Sequence, residues 1–504
     1  MKKKNVLLIT SDQQHWNTIG AFNKEIKTPN LDRLVKEGTT FSRAYCPNPT
    51  CTPTRCSMIT GLYPSQHGGW SLGTKMPEDV LTIGDILHEN DYKVSLIGKA
   101  HFQHNLQNDK YSSLEAMPIL QDFEFWKNFN GPFYGFDHIE LTRNHTVEFL
   151  VGQHYVLWME EKGFKNWRDF YQKPIGTLDS NEKRVWHIPE EYHYDTWIAE
   201  RTNAMLDEYK KKDESFFLWA SFFDPHPPYF VPEPWASMYD PKDIKLPHFK
   251  KDEHQNTSPL LKKTQEINPD FSEYFEPKDK NWLHGCHSHV HTEEELRKDI
   301  AIYYGMISMM DHYIGKILDK LDSLGLYNDT MVIFTSDHGH FFGQHGLIAK
   351  GPFHYEDMIK VPMIVRDPGS VPSGKVNNSL QSLVDLTPTI LSKLNIEVPR
   401  TMSGKDESKV WDGKKDKLRT YITCENQHTE KTVNLRTLVT DRYKITVYYN
   451  RNHGEMYDLI KDPKEFNNLW DNPDYAELKT KLLLEFMSAE MDKVPLWMPR
   501  VSLA

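Results

Sequence analysis

Four short apolar runs in this chain each end abruptly on chemically capable side chains, and no other feature limits the fold as much. NVLLIT (5–10) runs into Ser11, Asp12 and Gln13, and YKVSLIG (92–98) into Lys99 and His101. FFLWASFF (216–223) runs into Asp224, Pro225 and His226, and MVIFTS (331–336) into Asp337 and His338. Strands that are apolar almost throughout are buried on both faces, as in a parallel sheet covered by helices. Ligands of such sheets gather beyond the carboxyl ends of the strands. The four runs therefore predict one site, built from Asp, Gln, Lys and His.

Helical patterns lie between them: TPNLDRLVKEG (28–38), LTIGDILHENDY (81–92), SLVDLTPTILSKLNI (382–396) and a stretch over 296–326 long enough to kink or break. Alternating strands and helices predict an α/β fold, with a large mixed, mainly parallel sheet flanked by helices. After residue 410 the strand candidates RTYITCE, NLRTLVTD and YKITVYYN come close together, then a turn-bearing GEMYDLIKDPKEFNNLWD and a helix from about 475. That change predicts a catalytic domain over 1–410 and a small antiparallel α+β subdomain over 411–504. An aromatic-rich insertion over about 103–200 is expected to pack its tryptophans onto the main domain.

The stretch CTPTRCSMITG (51–61) reads as a short helix with Thr52 as N-cap, Pro53 at the first helical position and Gly61 at its end. Cys51 would then face the positive end of a helix, a place that suits anions. From geometry alone the simpler reading is a half-buried thiol in a turn. HGCHSHVH, with His284, Cys286, His287, His289 and His291, raises a second metal site, but a substrate-side loop or a solvated one is the expected reading.

Net charge is −11, from 60 basic and 71 acidic residues, which gives no footprint for nucleic acid. The apolar run Val6 to Ile9 is too short for a signal peptide core, and no stretch is apolar enough to span a bilayer. As written the chain reads as cytoplasmic, or as a periplasmic or secreted protein if a leader has been trimmed. Five cysteines, an odd count in a long chain, argue against a disulfide framework.

CTPTR, TPNLDRLVKEGTTFSRAYC, GLYPSQHG, LIGKAHF, FFDPHPPY, TSDHGHFFGQHGL and the Lys350-Gly-Pro segment together resemble the formylglycine-dependent sulfatases of the alkaline-phosphatase-like superfamily. The likeness covers residues 4 to 370, and GEMYDLIKDPKEFNNL resembles that family's C-terminal subdomain. The resemblance implies that a formylglycine-generating maturase oxidises Cys51 to an aldehyde. Its hydrate has two hydroxyls on one carbon: one attacks sulfur, and the other expels sulfate from the resulting hemiacetal. The resemblance also implies one divalent metal held by Asp12, Gln13, Asp337, His338 and position 51, with Ca²⁺ expected and Mn²⁺ or Mg²⁺ as alternatives. Gln13 and His338 depart from the usual Asp and Asn, a pairing shared with choline sulfatases and phosphonate monoester hydrolases. By the same resemblance Arg55 binds the formylglycine oxygen, Lys99 and Lys350 hold sulfate oxygens, His101 is the base and His226 the acid, in roles that could be exchanged. The expected substrate is a sulfate ester, of a glycan or a small molecule. Two rivals stand beside it: a phosphonate monoester or phosphodiester hydrolase, and an unmodified, catalytically silent sulfated-glycan binding protein. Retention of Lys99 and His101 favours sulfate.

Overall fold

The computed structural model describes residues 3–143, 146–171, 185–250, 253–274, 285–428 and 433–502. In chain order the first strands are β1 (Asn5–Ser11), β2 (Thr39–Tyr45), β3 (Lys93–Gly98), β4 (His138–Leu141), β5 (Phe216–Ser221) and β6 (Thr330–Ser336). A small hairpin of β7 (Phe341–Phe342) and β8 (Ile348–Ala349) follows, then β9 (Lys360–Val361), β10 (Met363–Arg366) and β11 (Lys375–Ser382). The main sheet has the order β11-β2-β10-β6-β1-β5-β3-β4, with β9 added beside β2. Only β9 and β10 run against the other strands. The four runs read from sequence are thus four adjacent, parallel strands, β6-β1-β5-β3.

Their unbroken apolarity has a direct cause. Leu7, Ile9, Leu218, Val332 and Phe334 pack into one helical layer, with the helices Tyr194–Lys212 and Glu293–Ser323. Val6, Leu8, Phe217, Trp219, Met331 and Ile333 pack into the opposite layer. Alternate side chains point to opposite faces of a strand, so a sheet covered on both sides needs apolar residues at both parities.

The stretch long enough to kink or break is one helix, Glu293–Ser323, of 31 residues. Its glycines serve close packing instead of a break: a Cβ on Gly305 would lie 2.3 Å from the Trp235 carbonyl oxygen, and one on Gly315 2.5 Å from the Asn30 side chain. A capping box between Thr292 and Glu295 starts the helix.

Between residues 103 and 200 the chain supplies the edge strand β4 and the start of the Tyr194–Lys212 helix. Trp126, Trp158, Trp167, Trp186 and Trp197 are all buried there. Near the C-terminus β12 (Tyr421–Gln427), β13 (Asn434–Thr440), β14 (Tyr443–Tyr448) and β15 (Gly454–Asp458) form an antiparallel meander. GEMYD, read from sequence as turn-bearing, is β15. Its Met456 joins Leu438 and Ile445 under the helix Ala476–Asp492, so the strand completes the apolar face that this helix covers. The other face, through Ile422, Cys424 and Val439, joins the core of the main sheet. All five cysteines are free and buried. Among the described residues no helix is long and apolar enough to cross a membrane.

Candidate active site

Strand register builds the floor of the site. Ser11 pairs with Ser336, so Asp12 and Asp337 leave the sheet side by side. The backbone N–H groups of Gln13 and His338 both donate to Asp337 Oδ1, each at 2.9 Å. Gly98 pairs with Ser221, which brings Lys99 to the same edge, where its ammonium donates to Asp12 Oδ2. Gly98 has φ +112°, and a Cβ there would lie 2.0 Å from the Ser221 carbonyl oxygen, so no other residue lets β3 lean against β5 at this point.

After helix α1 (Pro29–Glu37), helix α2 (Cys51–Thr60) aims its first turn at this edge. The helix starts earlier than the sequence predicts. Thr50 is the N-cap, held extended because its N–H and Oγ1 both donate to Asn48 Oδ1, at 2.9 and 2.5 Å. Pro53 is tolerated at the third helical position because the first four N–H groups have no intrahelical partner. Gly61 ends the helix in the left-handed region, as predicted, with its N–H on the Ser57 carbonyl at 3.0 Å. Cys51 is therefore the first helical residue. Its Sγ lies 3.5 Å from Asp12 Oδ1 and 3.2 Å from His338 Nε2, and it accepts from Lys350 Nζ at 3.1 Å.

Arg55, one turn along α2, ties the strand ends together. Its Nε donates to Asp337 Oδ2 at 2.8 Å, and its Nη1 to the Lys99 carbonyl at 3.0 Å and to Ser221 Oγ at 2.8 Å. Asp12, Gln13, Cys51, Arg55, Lys99, Asp337 and His338 are all fully buried. Charge partners decide the protonation of this group. Burial pushes the Asp12 carboxyl up, but Lys99, Arg55 and Lys350 outweigh it and hold the group below the usual carboxylate range. Burial and Asp12 push the Cys51 thiol up, yet Lys350 and Lys99 leave it below its ordinary value. Burial lowers Lys99 despite Asp12. His338 is lowered by burial but raised on balance by Asp337 and Cys51.

The two remaining histidines are held differently. His226 donates from Nδ1 to the Pro227 carbonyl at 2.5 Å, and its Nε2 accepts from Lys350 Nζ at 2.9 Å. Burial, then the Lys350 charge, holds it well below the ordinary histidine range. His101 has φ +58° and lies on the loop after β3, where its N–H donates to Glu115 Oε2 at 2.9 Å. Its Nε2 faces Arg143 Nη2 at 2.7 Å.

The donor set fits a divalent cation. Asp12, Cys51, Asp337 and His338 each offer an atom within 4.8 Å of the others, the one such group among the described residues. His338 donates Nδ1–H to the Gly339 carbonyl at 3.0 Å, which leaves Nε2 bare toward the carboxylates, the usual outer support of a ligating histidine. Gln13 Nε2 is anchored on His340 Nδ1 at 2.9 Å, while its Oε1 is buried without a hydrogen-bond partner. A buried amide oxygen with no donor is what a hard cation would satisfy. The histidines after Gly285 form no such group. His289 is buried, with Nε2 on the Gly285 carbonyl at 2.9 Å and Nδ1 accepting from the Ile348 N–H at 3.3 Å. His284 lies outside the described residues.

Sequence reasoning missed several supports of the site. Tyr303 donates to the Gln13 carbonyl at 2.7 Å, and Tyr229 OH lies 2.9 Å from Nε2 of His340. Arg143 and Glu115 brace the loop of His101. Arg143 follows a strand end like the other functional residues, but HIEL is too short a run to stand out as a strand.

Cations and oxygen donors gathered around the first residue of a helix, at the carboxyl edge of a mainly parallel sheet, place the chain in the class of α/β enzymes that act on an anionic ligand there. Comparison with known proteins narrows that class. The family model described as Sulfatase matches residues 4–396, and that described as N-sulphoglucosamine sulphohydrolase, C-terminal, matches residues 343–492. This chain belongs to the sulfatase family and is a sulfuric ester hydrolase. An arylsulfatase of Clostridium perfringens (strain 13 / Type A) is 29% identical over 487 residues, covering 94% of this chain and 92% of its own. An N-acetylglucosamine-6-O-sulfatase of Bacteroides thetaiotaomicron is 22% identical over 518 residues, covering 96% and 85%. The crystal structure of the phosphonate monoester hydrolase of Agrobacterium radiobacter superposes with a TM-score of 0.79 at 25% identity, covering 99% and 98%.

Proposed function

We propose that this enzyme removes sulfate from a sulfated carbohydrate, using formylglycine made from Cys51 by a maturase, and one divalent metal, Ca²⁺ before Mn²⁺ or Mg²⁺. One observation carries the reading: Cys51 begins α2 inside the metal donor set, with Lys350 Nζ at 3.1 Å and His338 Nε2 at 3.2 Å. The similarity to the N-acetylglucosamine-6-O-sulfatase supports a carbohydrate ester. Formylglycine would supply a hydroxyl nucleophile at position 51, and the metal would lower its proton affinity and neutralise sulfate charge. Asp12, Gln13, Asp337 and His338 would hold that metal.

The remaining residues do the positioning and proton work. Lys350 and Lys99 hold sulfate oxygens as compact charges where negative charge builds during transfer. Arg55 braces Asp337 and the Lys99 carbonyl, so the anion site is rigid before substrate arrives. His226 is the acid for the departing sugar oxygen, acting through Nε2, the ring nitrogen that does not bond the Pro227 carbonyl, and His101 serves the group at position 51. A second reading, a phosphonate monoester hydrolase, is supported by the similarity to the Agrobacterium radiobacter enzyme and by Gln13 with His338. Turnover of sulfated mono- and disaccharides, an aryl sulfate and a phosphonate monoester by one preparation tests both. Preference for the sugar sulfates in kcat/KM supports the first; preference for the phosphonate overturns it. Peptide mass spectrometry of fully active enzyme that found only thiol at Cys51 would remove formylglycine from the reading.

A further inference from the structure

Arg143 follows β4 by two residues and is 2% exposed. Its Nη1 is 3.2 Å from Glu115 Oε2, and its Nη2 is 2.7 Å from His101 Nε2. Glu115 in turn accepts the backbone N–H groups of His101, Phe102 and Gln103 at 2.9, 2.9 and 3.1 Å. Position and orientation of the His101 loop are therefore set by one buried ion pair.

The chemistry of that contact goes further. A guanidinium has five donors and no acceptor, so the ring nitrogen it faces must be the bare one. We propose that Arg143 is a positioning residue that fixes His101 as the Nδ1–H tautomer, with Nε2 bound to the guanidinium. His101 then meets the reacting group through Nδ1 as a hydrogen-bond donor, and not as the base that the motif alone assigned to it. A lysine at 143 would be a point charge that cannot face both Glu115 and the ring in the fixed fork geometry. The catalytic consequence rests on His101 taking part in turnover as proposed above; the tautomer does not.

Nitrogen NMR of enzyme labelled with ¹⁵N-histidine tests this, with the His101 signals assigned by their loss in His101→Asn. The wild type should show a protonated Nδ1 and a bare, hydrogen-bonded Nε2. A protonated Nε2 would overturn the proposal without any variant at 143 having to fold. Arg143→Met should lose that signature and lower kcat at least tenfold while KM for a sulfate ester changes little, with Arg143→Lys in between. The same tautomer in Arg143→Met as in the wild type would overturn it. A lost signature with unchanged kcat would keep the tautomer assignment and remove His101 from the chemistry instead.

Discussion

The Lys350 ammonium donates to Nε2 of His226 across 2.9 Å, while Nδ1 is held by the Pro227 carbonyl, so Nε2 is the nitrogen through which the proposed acid would act. The value of a proton supplied by His226 depends on the leaving group. A nitrophenolate departs unaided, whereas a sugar alkoxide is a far stronger base, and general-acid help is worth about 10²–10⁴-fold. His226→Ala should slow hydrolysis of a sugar sulfate by a factor in that range and barely affect nitrophenyl sulfate. Equal losses on the two substrates would end the assignment of His226 as the acid.

Asp337 holds Arg55 and accepts two backbone N–H groups besides offering an atom to a metal. Asp337→Asn should lose bound metal and turnover together, because the site keeps only Asp12 as a carboxylate to balance the charge of a divalent cation. It also leaves the buried Arg55 with Asp12 as its remaining counter-charge, at 3.9 Å. Losing one partner of a buried pair costs about 3–5 kcal/mol, so the melting temperature should fall as well. Stoichiometric metal by elemental analysis, with normal turnover, would refute the ligand assignment.

Gly98→Ala should cut soluble yield and kcat together. The added methyl meets the Ser221 carbonyl oxygen at a φ that side chains rarely adopt, and relief by shifting β3 moves Lys99 away from Asp12. Wild-type melting and wild-type turnover in this variant would contradict the packing described for the strand ends.

Glu407, beside Gln381 and Asp385, gives a pH test of stability. It is fully buried, and burial together with the Asp385 charge pushes its carboxyl up to about 8 from 4.5. Between those values the folded chain keeps a proton that the unfolded chain releases, so this group's stabilising contribution declines as pH rises from about 4.5 to about 8. Glu407→Gln is neutral at every pH and escapes that loss. Its urea midpoint should therefore gain on the wild type between pH 5 and pH 9. A constant difference across that range would show that Glu407 is ionised in the fold.

Much of this was legible in the sequence because the central strands are buried on both faces. Unbroken apolar runs such as NVLLIT and MVIFTS have few other uses, and the residue after each had to sit at a sheet edge. What the sequence hid depends on partners far along the chain. The start of α2 moved to Cys51 because Asn48 pins Thr50, a contact no propensity scale contains. The Glu293–Ser323 helix stayed whole because its glycines face Trp235 and Asn30. Arg143 escaped notice because four residues of β4 show no periodicity that sets them apart from a loop.

Cys51 has no exposed surface and lies under Lys350, His338 and the ends of β1 and β6. No macromolecular active site could close around a thiol in that position. If position 51 is altered by another enzyme, the alteration belongs to the chain's early life, before α2 docks on the sheet. Copies that fold first would keep a plain cysteine at position 51 and, in the proposed reaction, lack the hydroxyl that attacks.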